Sequence, residues 1–264
     1  MRKSISIISI PSYPKINLAL DVLRKTKFGY HEIQTVFHQL KEPADEIILE
    51  NRADGLIEVD SDCKALPKDG TNTVLKAALL LKKAVGISKG AQIFIKKRIP
   101  LMSGLGGGSS NAVATLKGLA QLWHLNADVL PGIANRIGMD CAFFFDGGTA
   151  LGTHFGEKII ALPPTPLILK FTIIPTGVEV SSSMAYESLN LVNCGAHCDK
   201  TKHLIAALRR GDADAIIENM HNDFEETIFA KFPKILAKRR EIESSQLGKV
   251  MLCGSGGALV RIYQ

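Results

Sequence analysis

The chain has 264 residues, 46% of them hydrophobic and 22% charged, with a formal net charge of +6 and five cysteines. That is enough for one large or two modest domains with their own cores, and no apolar run reaches the ~18 residues a membrane span requires. The basic residues are dispersed, without a long Lys/Arg block or zinc-finger spacing, which argues against nucleic acid and is compatible with anionic small substrates.

Ser4 to Ile10 is apolar and follows Arg2 and Lys3. It is too short for a secretory core and lacks a small-residue cleavage pattern. It reads as a first strand, 5–10, in a cytoplasmic protein. A second strand is expected over 16–24, after Pro11-Ser-Tyr-Pro14, with Lys15, Asn17 and Asp21 as polar points in an apolar run. A lysine at a strand start commonly lies on a solvated edge. The turn Lys27-Phe-Gly-Tyr-His-Glu-Ile33 leads into a strand at 33–40, and its Tyr30-His31 pair suits packing as well as chemistry. Residues 45–62 alternate enough for two short strands. Gly70-Thr-Asn-Thr then opens a helix over 73–85, with Thr71 or Asn72 as its cap. A strand at 91–98 ends in Lys96, Lys97 and Arg98, which are expected to be partly solvated.

Pro100-Leu-Met-Ser-Gly-Leu-Gly-Gly-Gly-Ser-Ser-Asn111 follows, with Gly104, Gly106, Gly107 and Gly108 inside five residues. A helix is predicted over 110–122, so the order is strand, glycine loop, helix N-terminus. Glycines permit positive φ and close approach to a ligand. The free N–H groups of a first helical turn favour an anion, and a polyphosphate is the obvious one. No lysine follows the last glycine, unlike the common P-loop. Ser109 stands where a dinucleotide fingerprint has its third glycine. An ordinary glycine-rich surface turn is the bland alternative.

A helix over 126–137 leads to Asp140, before the apolar Cys141-Ala-Phe-Phe-Phe145. A carboxylate there requires a partner or a function; an N-cap or turn aspartate is the competing reading. A strand at 167–174 and a helix from Val180 come next. Ser182 reads as a cap or a contact residue, and Tyr186 as a core or a contact residue. Helices are expected over 200–209, 212–219 and 231–243. Gly254-Ser-Gly-Gly257 makes a second glycine turn after an apolar strand, a plain hairpin turn taken alone. Cys194, His197 and Cys198 raise the thought of a metal, but no fourth ligand is evident and the thiols are expected to be free.

Taken together, these stretches resemble the GHMP kinases, and within them the diphosphocytidyl-methylerythritol kinase branch. The resemblance rests on Tyr13-Pro-Lys-Ile-Asn-Leu-Ala-Leu-Asp-Val22, Gly29-Tyr-His-Glu32, Pro100 through Asn111, Gly138-Met-Asp-Cys-Ala-Phe-Phe144, Val180-Ser-Ser-Ser-Met-Ala-Tyr186 and Gly254-Ser-Gly256, in the family's order. Pro14 stands for the usual alanine, Phe28 for an aspartate, and Met139, Cys141 and Ala142 for Ala, Val and Pro. His221-Asn-Asp-Phe-Glu225 also matches and is taken as structural.

The resemblance implies an α+β, two-domain GHMP kinase fold. Residues 1–153 would form a nucleotide-binding domain like domain 2 of ribosomal protein S5. Residues 154–264 would form a ferredoxin-like substrate domain, with the active site between the two. It implies ATP and Mg²⁺, with no protein residue assigned as a metal ligand. Lys15 and Asp140 are the implied catalytic pair. Pro100, Gly104, Leu105, Gly106, Gly107, Gly108, Ser109, Ser110, Asn111 and Asn72 would lie at the nucleotide. Asn17, Tyr30, His31, Ser182, Tyr186, Gly254, Ser255 and Gly256 would lie at the acceptor, with Tyr30, His31 and Tyr186 bracketing a cytosine. The expected partners are small molecules, with no nucleic acid or membrane, for a monomer or homodimer. A short tail beyond Gln264 is expected to be missing. The rivals are a homoserine- or mevalonate-type kinase and a non-catalytic nucleotide-binding relative.

Overall fold

A computed structural model describes residues 7–27, 29–190, 192 and 194–264. Residues 5–6 of the expected first strand, and Phe28, lie outside them. The chain runs β1 (Ile7–Ser12), β2 (Lys15–Lys25), β3 (His31–Gln39), β4 (Asp45–Arg52), β5 (Ile57–Ser61), α1 (Thr73–Val85), β6 (Gly90–Lys96) and α2 (Gly107–Trp123). It continues through α3 (Leu130–Ala134), β7 (Thr149–His154), β8 (Lys158–Ala161), β9 (Lys170–Ile174), α4 (Ser182–Glu187) and α5 (Cys198–Arg210). The remainder is α6 (Ala213–Asn219), β10 (His221–Asn222), α7 (Glu225–Lys231), α8 (Pro233–Ser245), β11 (Lys249–Leu252) and β12 (Leu259–Tyr263).

Two compact units are interleaved along this chain. The first comprises residues 1–14, 41–99 and 106–145; the second comprises 15–40, 100–105 and 146–264. A single cut at 153/154 divides the chain differently. Residues 15–40 group with later segments because β2 and β3 share a sheet, ordered β10-β2-β3-β7-β8, with strands from the second half.

In the first unit the sheet order is β1-β4-β6-β5, antiparallel except for the β5–β6 pair. Ile47, Leu49, Ile93 and Ile95 are fully buried, as are Leu116 and Leu119 of α2. Asn72 starts α1, its side chain accepting a hydrogen bond from Val74 N. The helix expected over 126–137 is interrupted. Asn126 caps a short 3-10 turn at 127–129, and α3 restarts with Pro131 in its first turn. Proline has no N–H to continue the earlier helix.

In the second unit β2 is buried from Lys15 to Leu23's neighbour Val22 and carries register shifts between Asn17 and Ala19 and between Val22 and Arg24. Such bulges re-aim the side chains beside them. A second sheet, β11-β12-β9, is antiparallel. Leu20, Val22, Ile33, Phe224, Ile228, Val250 and Leu259 share one apolar cluster. The helix expected over 231–243 is α8, which starts two residues later, and it is preceded by a helix that was not expected, α7; the two meet at Phe232. Phe232 has φ −125° and precedes Pro233, and a residue before proline is pushed out of the helical region. The strand expected over 167–174 begins only at 170, and Leu167 is 93% exposed.

Candidate active site

The glycine run is split between the two units: 100–105 belongs to the second and 106–111 to the first. In the first unit α2 starts at Gly107, three residues ahead of the expected start. Its N-cap, Gly106, has φ +70° and supplies no side-chain capping bond. The opening N–H groups of a 17-residue helix are thus left without a capping side chain, which suits an anion.

The residues behind this opening are locked. Asp45 is buried and accepts from the Lys97 ammonium (2.6 Å), Asn111 Nδ2 (2.9 Å), Arg98 N (2.6 Å) and Ile99 N (2.7 Å). The Ser12 hydroxyl lies 2.6 Å from Asn111 Oδ1 and 2.7 Å from Ser110 Oγ. One hydroxyl donates one proton, so Ser12 donates to Asn111 and accepts from Ser110. Ser110 and Asn111 are therefore held inside the unit, and set the start of α2 from behind. Lys97 is not solvated as expected: its side chain is 6% exposed and paired with Asp45, whereas Lys96 and Arg98 pair at the surface with Glu46 and Asp62. Burial draws the Lys97 ammonium below its usual value, opposed by Asp45. Asn72 uses Oδ1 to cap α1 and Nδ2 to reach Pro67 O (2.6 Å), so its amide is spent locally.

Asp140 lies in the first turn of a 3-10 helix, Met139–Phe145. Lys117 secures the far end of that helix, donating to Phe144 O (3.1 Å) and Phe145 O (2.7 Å). A Cβ placed on Gly138 would come 3.2 Å from Ser109 Oγ, so the turn leading into this 3-10 helix packs against the start of α2. Next to Asp140, Cys141 is buried, and burial pushes its thiol up to about 11. It is inert packing.

In the second unit Lys15 is 4% exposed rather than at a solvated edge. Its ammonium donates to Asn17 Oδ1 (2.9 Å) and Gly104 O (3.0 Å) and sits 5.4 Å from the Phe37 ring centroid. Asn17 is fixed in turn by donating to Thr35 Oγ1 (2.7 Å). The segment 100–105 interlocks with the second glycine turn. Gly257 N donates to Met102 O (3.0 Å) and Ala258 N to Ser103 O (3.3 Å). Gly104 has φ +81°, and a Cβ there would fall 1.7 Å from Cys253 O. A Cβ on Gly254 would fall 3.2 Å from Lys15 Nζ, which locates this turn at the lysine. Asn222 holds the turn from below, donating to Leu252 O (3.0 Å) and Gly254 O (2.8 Å). Sequence reasoning took the segment around Asn222 as structural. Asp45 and Ser12 were not expected as positioning residues, since single polar residues in ordinary strands and turns carry no motif.

The expected aromatic bracket has a different form. His31 and Tyr186 stack directly, with centroids 5.0 Å apart and an interplanar angle of 25°. No base fits between them; they make one platform, backed by Phe224 edge-on to Tyr186 at 4.8 Å. Burial, with Lys25 nearby, draws the His31 imidazole below its usual value. Tyr30 turns elsewhere, 55% exposed and tilted against Phe155 at 5.4 Å. Ser181, not Ser182, caps α4; the Ser182 hydroxyl instead meets Ser255 Oγ at 2.8 Å.

Comparison with known proteins gives this arrangement a family. The GHMP kinases N terminal domain matches residues 72–148. A 4-diphosphocytidyl-2-C-methyl-D-erythritol kinase of Shouchella clausii is 40% identical over 260 residues, covering 97% of this chain and 86% of that protein. The chain belongs to the 4-diphosphocytidyl-2-C-methyl-D-erythritol kinase family of GHMP kinases. The Listeria welshimeri member of the same kinase family is 37% identical over 261 residues, covering 97% of this chain and 88% of that protein. A crystal structure of 4-(cytidine 5'-diphospho)-2C-methyl-D-erythritol kinase aligns with TM-score 0.77 at 28% identity, covering 97% and 90% of the two chains. A homoserine kinase from Cytophaga hutchinsonii aligns with TM-score 0.76 at 22% identity, covering 100% and 87%, and shows the shared α+β GHMP kinase fold. Among the described residues no helix is long and apolar enough to cross a membrane.

Proposed function

We propose that the chain transfers the terminal phosphoryl group of ATP to the 2-hydroxyl of 4-diphosphocytidyl-2-C-methyl-D-erythritol, a step of the non-mevalonate route to isoprenoid precursors, in the cytoplasm. The observation that carries this reading is the buried Lys15 ammonium, held by Asn17 and Gly104 O beside the second glycine turn in a chain of this kinase family. Phosphoryl transfer asks mainly for positioning and charge neutralisation, and a fixed ammonium supplies both.

The N–H groups opening α2 receive the phosphates of ATP, and the uncapped Gly106 end fits that role. When bound, Mg²⁺ would neutralise phosphate oxygens, with the Ser109 hydroxyl as the protein group suited to lie near it. Lys15 offsets charge on the transferred group. Asp140 orients the acceptor hydroxyl and takes its proton late, because a loose transition state makes early deprotonation unnecessary. The cytosine stacks on the outer face of the His31–Tyr186 platform, and Ser182 and Ser255 contact the acceptor. Stacking of this kind contributes about 1–3 kcal/mol per base. Homoserine and mevalonate have no base to stack, which disfavours those acceptors.

The test is a coupled ADP-release assay with diphosphocytidyl-methylerythritol, homoserine and mevalonate side by side, repeated on Asp140→Asn. Turnover of the cytidine substrate alone is expected, abolished in the variant while ATP binding persists. Turnover of homoserine alone would overturn the acceptor assignment, and near-normal activity of the variant would remove Asp140 from the mechanism.

A further inference from the structure

Away from Lys15, the second unit holds a compact set of donors that phosphoryl transfer does not use. β10 pairs in parallel with β2, His221 opposite Ala19 and Asn222 opposite Leu20. This short pairing brings one donor atom each of Asp21, His221 and Asp223 within 4.8 Å of one another. Asp21 is fully buried, and the side chains of His221 and Asp223 are 7% and 8% exposed.

The hydrogen bonding leaves a specific opening. His221 Nδ1 lies 3.0 Å from Asn219 O, a group that can only accept, so Nδ1 carries the proton. In the neutral ring that leaves a lone pair on Nε2, and Nε2 faces Asp21 Oδ1 at 2.8 Å, acceptor against acceptor. A positive charge belongs with this pair: a proton fits the gap as it stands, and a metal ion bound by both atoms would open it to about 3.3 Å. The outer oxygens of both carboxylates are already committed. Thr201 Oγ1 donates to Asp21 Oδ2 (2.6 Å), and Val22 N donates to Asp223 Oδ2 (2.8 Å). These partners orient the Oδ1 atoms, as outer partners orient metal ligands. His197 Nδ1 lies 2.8 Å from Asp223 Oδ1 and can donate to one of its lone pairs, leaving the other. A cavity of about 560 Å³, lined in part by His197, His221, Asp223 and Cys194, gives a path from solvent.

We propose that Asp21, His221 and Asp223 form a binding site for a zinc-class divalent cation, with water completing the coordination from the cavity side. One imidazole and two carboxylates are too nitrogen-bearing and too few for calcium, and suit zinc with an open position. The cation balances two buried carboxylates whose described basic partners are both histidines. It ties β10 to β2, and through Asn222 it steadies the glycine turn beside Lys15.

The experiment uses the full chain, treated with chelator and free of nucleotide and Mg²⁺. It is titrated with zinc chloride alone by calorimetry, and metal content is measured after desalting. One zinc per chain is expected, with affinity at least about tenfold weaker in Asp21→Asn and in His221→Gln. Histidine ¹⁵N resonances of the unmutated chain provide a readout that does not depend on variant folding: the His221 Nε2 signal should shift with stoichiometric zinc. Absence of zinc binding, or a His221 signal that stays in place while zinc binds, overturns the proposal in favour of a shared proton. Loss of the zinc in a Cys194→Ser/Cys198→Ser variant, with His221→Gln unaffected, overturns it in favour of a thiolate site.

Discussion

Replacing Gly104 by alanine tests whether the interlocked glycine turns set the rate. At φ +81° an L-residue costs roughly 1–2 kcal/mol in backbone strain alone. The new Cβ would stand 1.7 Å from Cys253 O, so the two segments must part by about as much again to regain an ordinary contact. Overpacking of this kind adds about 1–3 kcal/mol. The moving turn includes Gly254, which lies against Lys15 and Asn17. A displacement of about 1 Å at a catalytic group costs on the order of 100-fold in rate. Gly104→Ala is therefore expected to lose about 2–5 kcal/mol of stability, and kcat should fall by about 100-fold. Gly211→Ala separates strain from clash: Gly211 has φ +68° at the end of α5, with nothing within 4 Å of its Cβ position. It should lose about 1 kcal/mol and keep its kcat. The measurements are urea denaturation and steady-state ADP release with the cytidine substrate. A Gly104→Ala enzyme within twofold of the parent in kcat would refute the argument that this contact places Lys15.

Asp45→Asn should destabilise the protein by about 3–5 kcal/mol in urea, because it leaves the buried Lys97 ammonium without its counter-charge; a loss under about 1 kcal/mol would show that Lys97 finds another outlet. Stability should also depend on pH through His38, whose imidazole burial pushes down to about 4 from 6.5. Between those values the unfolded chain binds the proton and the folded chain does not, so stability falls as pH drops from 6.5 towards 4. The loss is about 3 kcal/mol in total, and His38→Gln should flatten it in denaturant midpoints measured across the window.

The parts of the site written in local sequence were legible. Gly104 to Gly108 before a helix, Lys15 at a strand start and Gly254 to Gly257 after a strand each follow from short-range backbone rules. Helix α1 ran over 73–85 as its periodicity and the Asn72 cap indicated. Where local signals competed, the outcome was misjudged. Pro131 interrupted a helix that apolar spacing alone extended over 126–137, and Pro233 moved the start of α8 by two residues.

What the sequence by itself determined, then, was the set of backbone turns and the identity of the reactive side chains, since glycine, proline and capping residues act within a few positions of themselves. Tertiary structure alone decided which polar side chains are spent inside: Asp45 on Lys97 and Asn111, Asn222 on the second glycine turn, and His31 flat against Tyr186. Those pairings join residues tens to more than a hundred positions apart. A buried polar group is stable only where its partner arrives, and no short window of sequence contains both.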